Sequence, residues 1–178
     1  MALTNWGLDP LHSEVKFKVK HLMITNVTGS FDLFTVSAQT EGEDFTKGKI
    51  SFTADVNSIS TGNADRDGHL KSPDFFDVAK FPEIKFTATK TENVDQDGSY
   101  ELYGDLTLHG VTKNVKLDIE FGGVVKDGYG NTKAGFTVHG KINRKDFGLA
   151  WNMATEAGGV VVSEDVKIEA EIQLIKQA

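Results

Sequence analysis

The chain has no cysteine, which removes disulfides, thiol catalysis and cysteine-held zinc or iron–sulfur centres together. Proline is scarce, at three residues, while phenylalanine reaches twelve; with modest alanine and leucine, that balance favours strands over helices. Basic residues are the minority sign, 19 against 26 acidic for a net charge of -7. Neutralising phosphates needs a basic face, so this deficit argues against a nucleic-acid partner. No run of about 18 apolar residues occurs, which excludes a transmembrane segment. The N-terminus "MALTNWGLDPLHSEV" lacks a basic region followed by an apolar run, so no signal peptide is visible. A cytoplasmic location is expected, or a periplasmic one were the chain a processed mature form. With 178 residues, 39% hydrophobic and 25% charged, one globular domain spanning 1–178 suffices.

What is present is period-two alternation from end to end. In "SEVKFKVKHL", Val15, Phe17, Val19 and His21 share one face, and Glu14, Lys16, Lys18 and Lys20 the other. "GKISFTADV" sets Ile50, Phe52, Ala54 and Val56 against polar neighbours, and "PEIKFTATKT" does so with Ile84, Phe86 and Ala88. The same pattern recurs in "YELYGDLTLHG", "NVKLDIEFGG", "KAGFTVHGKI" and "SEDVKIEAEIQLI". In "NVTGSFDLFTVSAQ" the apolar parity changes between Phe31 and Phe34, as a bulge would cause. About eight strands result. Turn residues at Glu41-Gly42, Asp97-Gly98, His109-Gly110, Asp127-Gly128 and Gly158-Gly159 join them tightly, implying antiparallel neighbours. The expected fold is all-β, an eight-stranded antiparallel up-and-down barrel, because closure removes the two edges of an open sheet. A two-sheet sandwich is the runner-up. Short helices are expected in the 60–81 and 143–159 connections.

The apolar face mixes large rings (Phe17, Phe52, Phe86, Phe136) with small residues (Ala54, Ala88, Gly104, Ala134, Gly140, Ala170). Such a mixture suits either a hollow apolar tube able to take a lipid chain or a fully packed, tapered barrel. Periodicity leaves both open.

Several motifs compete for chemistry. "NADRDGHLKSPD", residues 63–74, carries oxygen-bearing side chains at calcium-loop positions one, three and five (Asn63, Asp65, Asp67), Gly68 at six and Asp74 at twelve. Strand-like flanks deprive it of the paired helices such a loop needs, so a calcium-binding module is the lesser alternative. The five histidines do not form a metal-ligand spacing, and His12 and His21, an odd number apart, fall on opposite strand faces. His139 follows the polar parity. No G-x-S-x-G elbow or GxGxxG occurs, and "GEDFTKGKI" misses the phosphate-binding loop by one residue and lacks its final Ser or Thr. "NVT" at Asn26 matches a glycosylation sequon, a short pattern frequent by chance.

"WGLDPLHSEVKFKVKHL" with "VTGSFDLF", "SISTGNADRDGHLKSPDFFDVAKFPEIKF", "GDLTLHGVTKNVKLDIEF" and "GFTVHGKINRKDFGLAW" resemble, in order and over nearly the whole chain, the signature blocks of the YceI-like, polyisoprenoid-binding proteins. The resemblance implies a lipocalin-like eight-stranded barrel that binds or transports a long-chain amphiphile, such as a polyprenyl phosphate or a ubiquinone-type lipid. It implies no catalytic step and no cofactor beyond such a bound lipid. The matching residues are Asp9, His12, Ser13, Phe17 and His21; Arg66, Asp67, His69, Leu70, Ser72, Phe75 and Phe76; Gly104, Leu106, Leu108, Gly110, Thr112 and Lys113; and Arg144, Phe147 and Gly148. Many family members carry an export signal, and none is visible at this N-terminus.

On that reading Phe17, Val19, Phe31, Phe34, Ile50, Phe52, Phe86, Leu106, Leu108 and Phe136 bury the apolar tail, with Phe147, Trp151 and Met153 as further lining residues. His21, Arg66, His69 or Lys71 would meet a polar head at one mouth. Leu70, Phe75 and Phe76 would cover that mouth, with Asp65, Arg66 and Asp67 holding the loop in place. The alternative class is a small-molecule enzyme or isomerase using His21 as acid or base. A homodimer is compatible with the sequence but not specified by it.

Overall fold

The computed structural model describes residues 3–152 and 161–177. The alternating runs form the strands β1 (Leu3–Leu8), β2 (Glu14–His21), β3 (Thr25–Phe31), β4 (Phe34–Glu41), β5 (Asp44–Asp55), β6 (Ile59–Ser60), β7 (Glu83–Glu92), β8 (Tyr100–Leu108), β9 (Val111–Lys126), β10 (Thr132–Asn143) and β11 (Asp165–Lys176), with one α-helix among the described residues, α1 (Ala64–Lys71). Every described pairing is antiparallel. β1 and β2 are two halves of one barrel strand, interrupted by a 3-10 turn at Pro10–His12 and both paired to β11. β3 and β4 form the second, and β5, extended by β6, the third. With β7 to β11 this gives eight members, and the β1–β11 pairing closes the ring.

The parity change between Phe31 and Phe34 is the two-residue break that separates β3 from β4. β1 adds a segment ahead of the expected first strand, and its inward residue is the buried Trp6. α1 lies within the expected 60–81 connection, and a 3-10 turn, Arg144–Phe147, opens the 143–159 connection, while two further 3-10 turns, Pro10–His12 and Val56–Ser58, lie outside both. The Gly158-Gly159 turn and Met153 lie outside the described residues.

One end of the barrel is plugged by rings. Trp6 lies 4.9 Å from Phe45, Phe45 lies 4.8 Å from Phe136 in a T-shaped contact, and Phe121 and Phe136 are 5.4 Å apart. The buried indole keeps its polar handle satisfied by donating to Thr40 Oγ1 at 2.9 Å. The small inward residues do not simply leave a hollow bore, because neighbouring side chains lie across several of them. A Cβ on Gly104 would meet the Phe86 ring at 2.3 Å, and one on Gly29 would meet the Phe17 ring at 2.2 Å. Large residues thus cover small ones along the wall, and space remains only in the middle and towards the opposite end.

The break in the first strand is held by one buried carboxylate. Asp9 Oδ1 accepts from Leu11 N at 3.2 Å, and Oδ2 accepts from Lys133 Nζ at 2.7 Å and pairs with His12 Nδ1 at 2.8 Å. Its backbone N–H donates to Gln173 O at 2.9 Å. The Lys133 ammonium, followed by His12, holds the Asp9 carboxyl below its ordinary value of 3.8 against the opposing effect of burial. A carboxyl whose folded pKa is depressed gives stability that is present above its unfolded value and lost as pH falls through the folded one. The Asp9→Asn chain should therefore be less stable than wild type at neutral pH, and the gap should shrink as the pH is taken below about 3.8. Urea unfolding across that range checks it; a gap independent of pH would contradict the assignment.

Candidate functional site

The barrel encloses a cavity of about 440 Å³ with an almost wholly apolar lining, within the range of about 300–1,000 Å³ typical of ligand pockets. Inward residues of every long strand contribute. β2 presents Val15, Phe17, Val19 and His21, β5 presents Ile50 and Phe52, and β7 presents Phe86. β8 supplies Leu106 and Leu108, β10 supplies Phe136 and Val138, and Phe31 enters from β3. The floor is made by Phe45, Phe136 and the buried Tyr100. Burial pushes the Tyr100 phenol up to about 12, the nearby Asp44 charge adding to it, so this group stays neutral at ordinary pH. Lining residues that are also solvent-exposed, Lys20, His21 and Arg66, all lie at the other end and mark the mouth.

The connection between β6 and β7 covers part of that mouth. Asn63 caps α1, its side chain accepting from Arg66 N at 3.0 Å. Residues 63, 65 and 67 therefore wind around a helical turn and do not converge as a calcium loop requires. Among the described residues, no group of three or more His, Asp or Glu is placed to hold a metal ion. The helix is anchored through Thr61: its N–H and hydroxyl donate to Asp67 Oδ1 at 2.9 and 2.5 Å, while Arg66 Nε donates to Thr61 Oγ1 at 2.8 Å and its Nη2 to the Thr61 carbonyl at 2.7 Å. Asp65 takes no part in this set. Leu70, Phe75 and Phe76 all line the cavity. Phe75 stands 5.2 Å from both Trp151 and His69, and His69 meets Trp151 edge-on at 4.9 Å. Phe76 contacts Phe31 edge-on at 6.2 Å. His69 Nε2 is paired with Asp74 at 2.9 Å.

Two of the expected lining residues lie elsewhere. Phe34 follows the strand break, and its ring rests 6.0 Å from Phe52, off the cavity wall. Phe147 is buried in the 3-10 turn after β10, in the core beside the cavity; its carbonyl is within 3.0 Å of His109 Nδ1. Lys71 does not line the cavity either. The other expected residues, Phe17, Val19, His21, Phe31, Ile50, Phe52, Leu70, Phe75, Phe76, Phe86, Leu106, Leu108, Phe136 and Trp151, share its surface. The His21 imidazole sits at the exposed mouth, and no described residue is hydrogen-bonded to it as a catalytic partner would be.

Arg144 is the residue that sequence reasoning undervalued. It is only 3% exposed and lines the cavity. Its guanidinium donates to four backbone carbonyls: Ser163 and Trp151 at 2.8 Å, Leu149 at 2.5 Å and Val162 at 3.3 Å. Burial lowers its pKa, with the charge of Glu164 working the other way; guanidinium nevertheless stays charged in proteins. A fork of donors thus pins both described ends of the 149–163 connection beside the mouth. The matching block "NRKDFG" signalled the position without its role.

A family model described as the YceI-like domain matches residues 6–174. The chain is 42% identical over 173 residues to a UPF0312 protein of Staphylococcus aureus, covering 96% of this chain and 97% of that one. Among solved structures it is similar to the Campylobacter jejuni YceI protein, at 34% identity and TM-score 0.76 over 89% of this chain and 90% of the other. The fold is also that of a polyisoprenoid binding domain from Saccharophagus degradans, described as implicated in plant cell wall breakdown (18% identity, TM-score 0.64, 97% and 98% covered).

Removing the guanidinium of Arg144 would orphan several loop carbonyls at once. Arg144→Met should cost about 1–3 kcal/mol for each carbonyl left buried without a donor, read by chemical denaturation, and Arg144→Lys, with three donors in place of five, should recover part of the loss. Equal stability of wild type and Arg144→Met would remove Arg144 as the anchor.

Proposed function

The chain belongs to the YceI-like family, and from that premise we propose that it is a non-enzymatic carrier that binds a long-chain isoprenoid or similar amphiphile inside the barrel. The observation that carries this reading is the cavity itself: closed by rings at one end, bordered by exposed polar side chains at the other, and apolar between. An extended chain fits such a space with its tail against Phe45 and Phe136 and its head among His21, Arg66 and His69. Each methylene moved from water contributes about 0.8 kcal/mol, so a tail binds tightly without polar contacts along its length. Arg66 suits a phosphate head, because guanidinium offers paired donors to phosphate oxygens. The shared fold with a polyisoprenoid binding domain supports the choice of ligand class. A polyprenyl phosphate or a quinone-type lipid would satisfy the same geometry.

Organic extraction of purified protein followed by mass spectrometry should find a long-chain lipid in near-stoichiometric amount, or the emptied protein should take up added polyprenol or quinone. Val138→Trp, which adds bulk to the cavity wall, should lower occupancy at least severalfold for a stability cost of about 1–3 kcal/mol. Protein that carries no lipid and takes up none would sink the carrier reading.

A further inference from the structure

The turn between β2 and β3 differs from the other hairpin turns. Three consecutive large apolar residues, Leu22, Met23 and Ile24, are 41%, 52% and 78% exposed. Leu22 and Met23 both adopt positive φ, 52° and 60°, a conformation that non-glycine residues enter rarely and where Asn or Gly is the usual choice. The hairpin therefore places apolar side chains where polar turn residues would be expected, and it turns them outward. Other exposed hydrophobics, such as Leu11, Leu33 and Tyr129, stand as single residues, which is ordinary for a surface.

The position of this tip matters as much as its composition. His21 and Lys20, immediately before it, line the cavity mouth. Leu22 N donates to Val161 O at 2.8 Å, and Lys20 exchanges bonds with Ser163 through its own N–H and carbonyl, both at 3.0 Å, so the tip is tied to the segment that Arg144 holds. On the outer face, Lys18 stands directly opposite Lys167 in the β2–β11 register, a like-charge pairing that is unfavourable in the isolated sheet. Lys18 has Glu169 at 3.3 Å and Lys16 has Glu14 at 3.4 Å. Lys20 and Lys167 have no ion pair among the described residues. In a chain of net charge -7, exposed lysines flank an apolar point beside the opening of an apolar cavity.

We propose that the β2–β3 hairpin tip docks the barrel on an anionic phospholipid bilayer. Leu22, Met23 and Ile24 enter the acyl boundary, and Lys20 and Lys167 meet the lipid phosphates. Docking sets the mouth against the membrane, so that a lipid chain passes into the cavity without crossing water. This rests on the carrier reading and adds the surface from which loading occurs.

Vesicle flotation with the full chain tests it, using phosphatidylcholine vesicles with and without phosphatidylglycerol. Wild type should float with the anionic vesicles, less with phosphatidylcholine alone, and less at high salt. The triple change Leu22→Ser, Met23→Ser, Ile24→Ser should cut the bound fraction by about tenfold, with circular dichroism confirming the barrel. Leu11→Ser, on a distant turn, should bind as wild type does. Lys20→Glu with Lys167→Glu should lose only the preference for anionic vesicles. Wild type that does not float, or a triple variant that floats equally well, would overturn the proposal. So would a wild-type dimer, seen by sedimentation, that the triple variant converts to monomer without any vesicle binding. The two readings separate cleanly: a protein that floats but takes up no solubilised polyprenol keeps its docking surface and loses its carrier role.

Discussion

The structure depends on one constraint, the closure of an antiparallel sheet in which alternate residues of every strand point to the same enclosed space. Closure is made by two ladders along β11, in which Trp6 to Leu8 pair with Leu174 to Lys176 and Glu14 to Lys18 pair with Lys167 to Glu171. Once the ring is shut, no edge is left to protect, and the inward residues must either fill the bore or leave a cavity. Here they do both. Rings at one end stack into a plug, and the wall above them is lined by Leu, Ile, Val and Phe that do not meet across the middle. The strand break at Asp9 is part of the same solution, since it lets one strand pair along β11 at both of its halves while a buried carboxylate ties the bend to β10.

The open end is built from different chemistry. There the backbone leaves the sheet, and irregular segments need donors and acceptors that a ladder no longer supplies. Arg144 provides them for the 149–163 connection, and Thr61, Arg66 and Asp67 for the entrance to α1. Aromatic contacts among His69, Phe75 and Trp151 then lay the helical connection over part of the opening. A rigid floor with a cover held by a few side-chain anchors is an arrangement in which the cover can move more readily than the barrel.

Much of this was legible in the sequence because period two admits one inward face. Phe17, Phe52, Leu106 and Phe136 were assignable to the interior from alternation alone, and the parity change at Phe31 to Phe34 marked the break. What failed was local. Phe34 follows that break, where parity no longer tells how far a ring reaches into the bore. Phe147 lies in a turn, where alternation says nothing. The covering of Gly104 by Phe86 depends on cross-strand register, which one sequence does not display. Arg144 was marked only by the family resemblance, without a role, because its partners are carbonyls, which leave no compositional trace. The calcium-like spacing at 63–74, kept only as the lesser alternative, arises because Asn63, Asp65 and Asp67 serve a helix start as naturally as an ion loop. The β2–β3 tip carried no turn signal at all, since Leu and Met stand where glycine or asparagine would have announced it.

An apolar cavity closed at one end also predicts an orientation, with the tail down and the head at the mouth. The most direct test is a crystal structure of the protein with an isoprenoid brominated at its tail end. Anomalous signal is expected deep in the barrel, among Phe45, Phe86 and Phe136. Signal confined to the mouth or the outer surface, with the cavity filled by water, would contradict it.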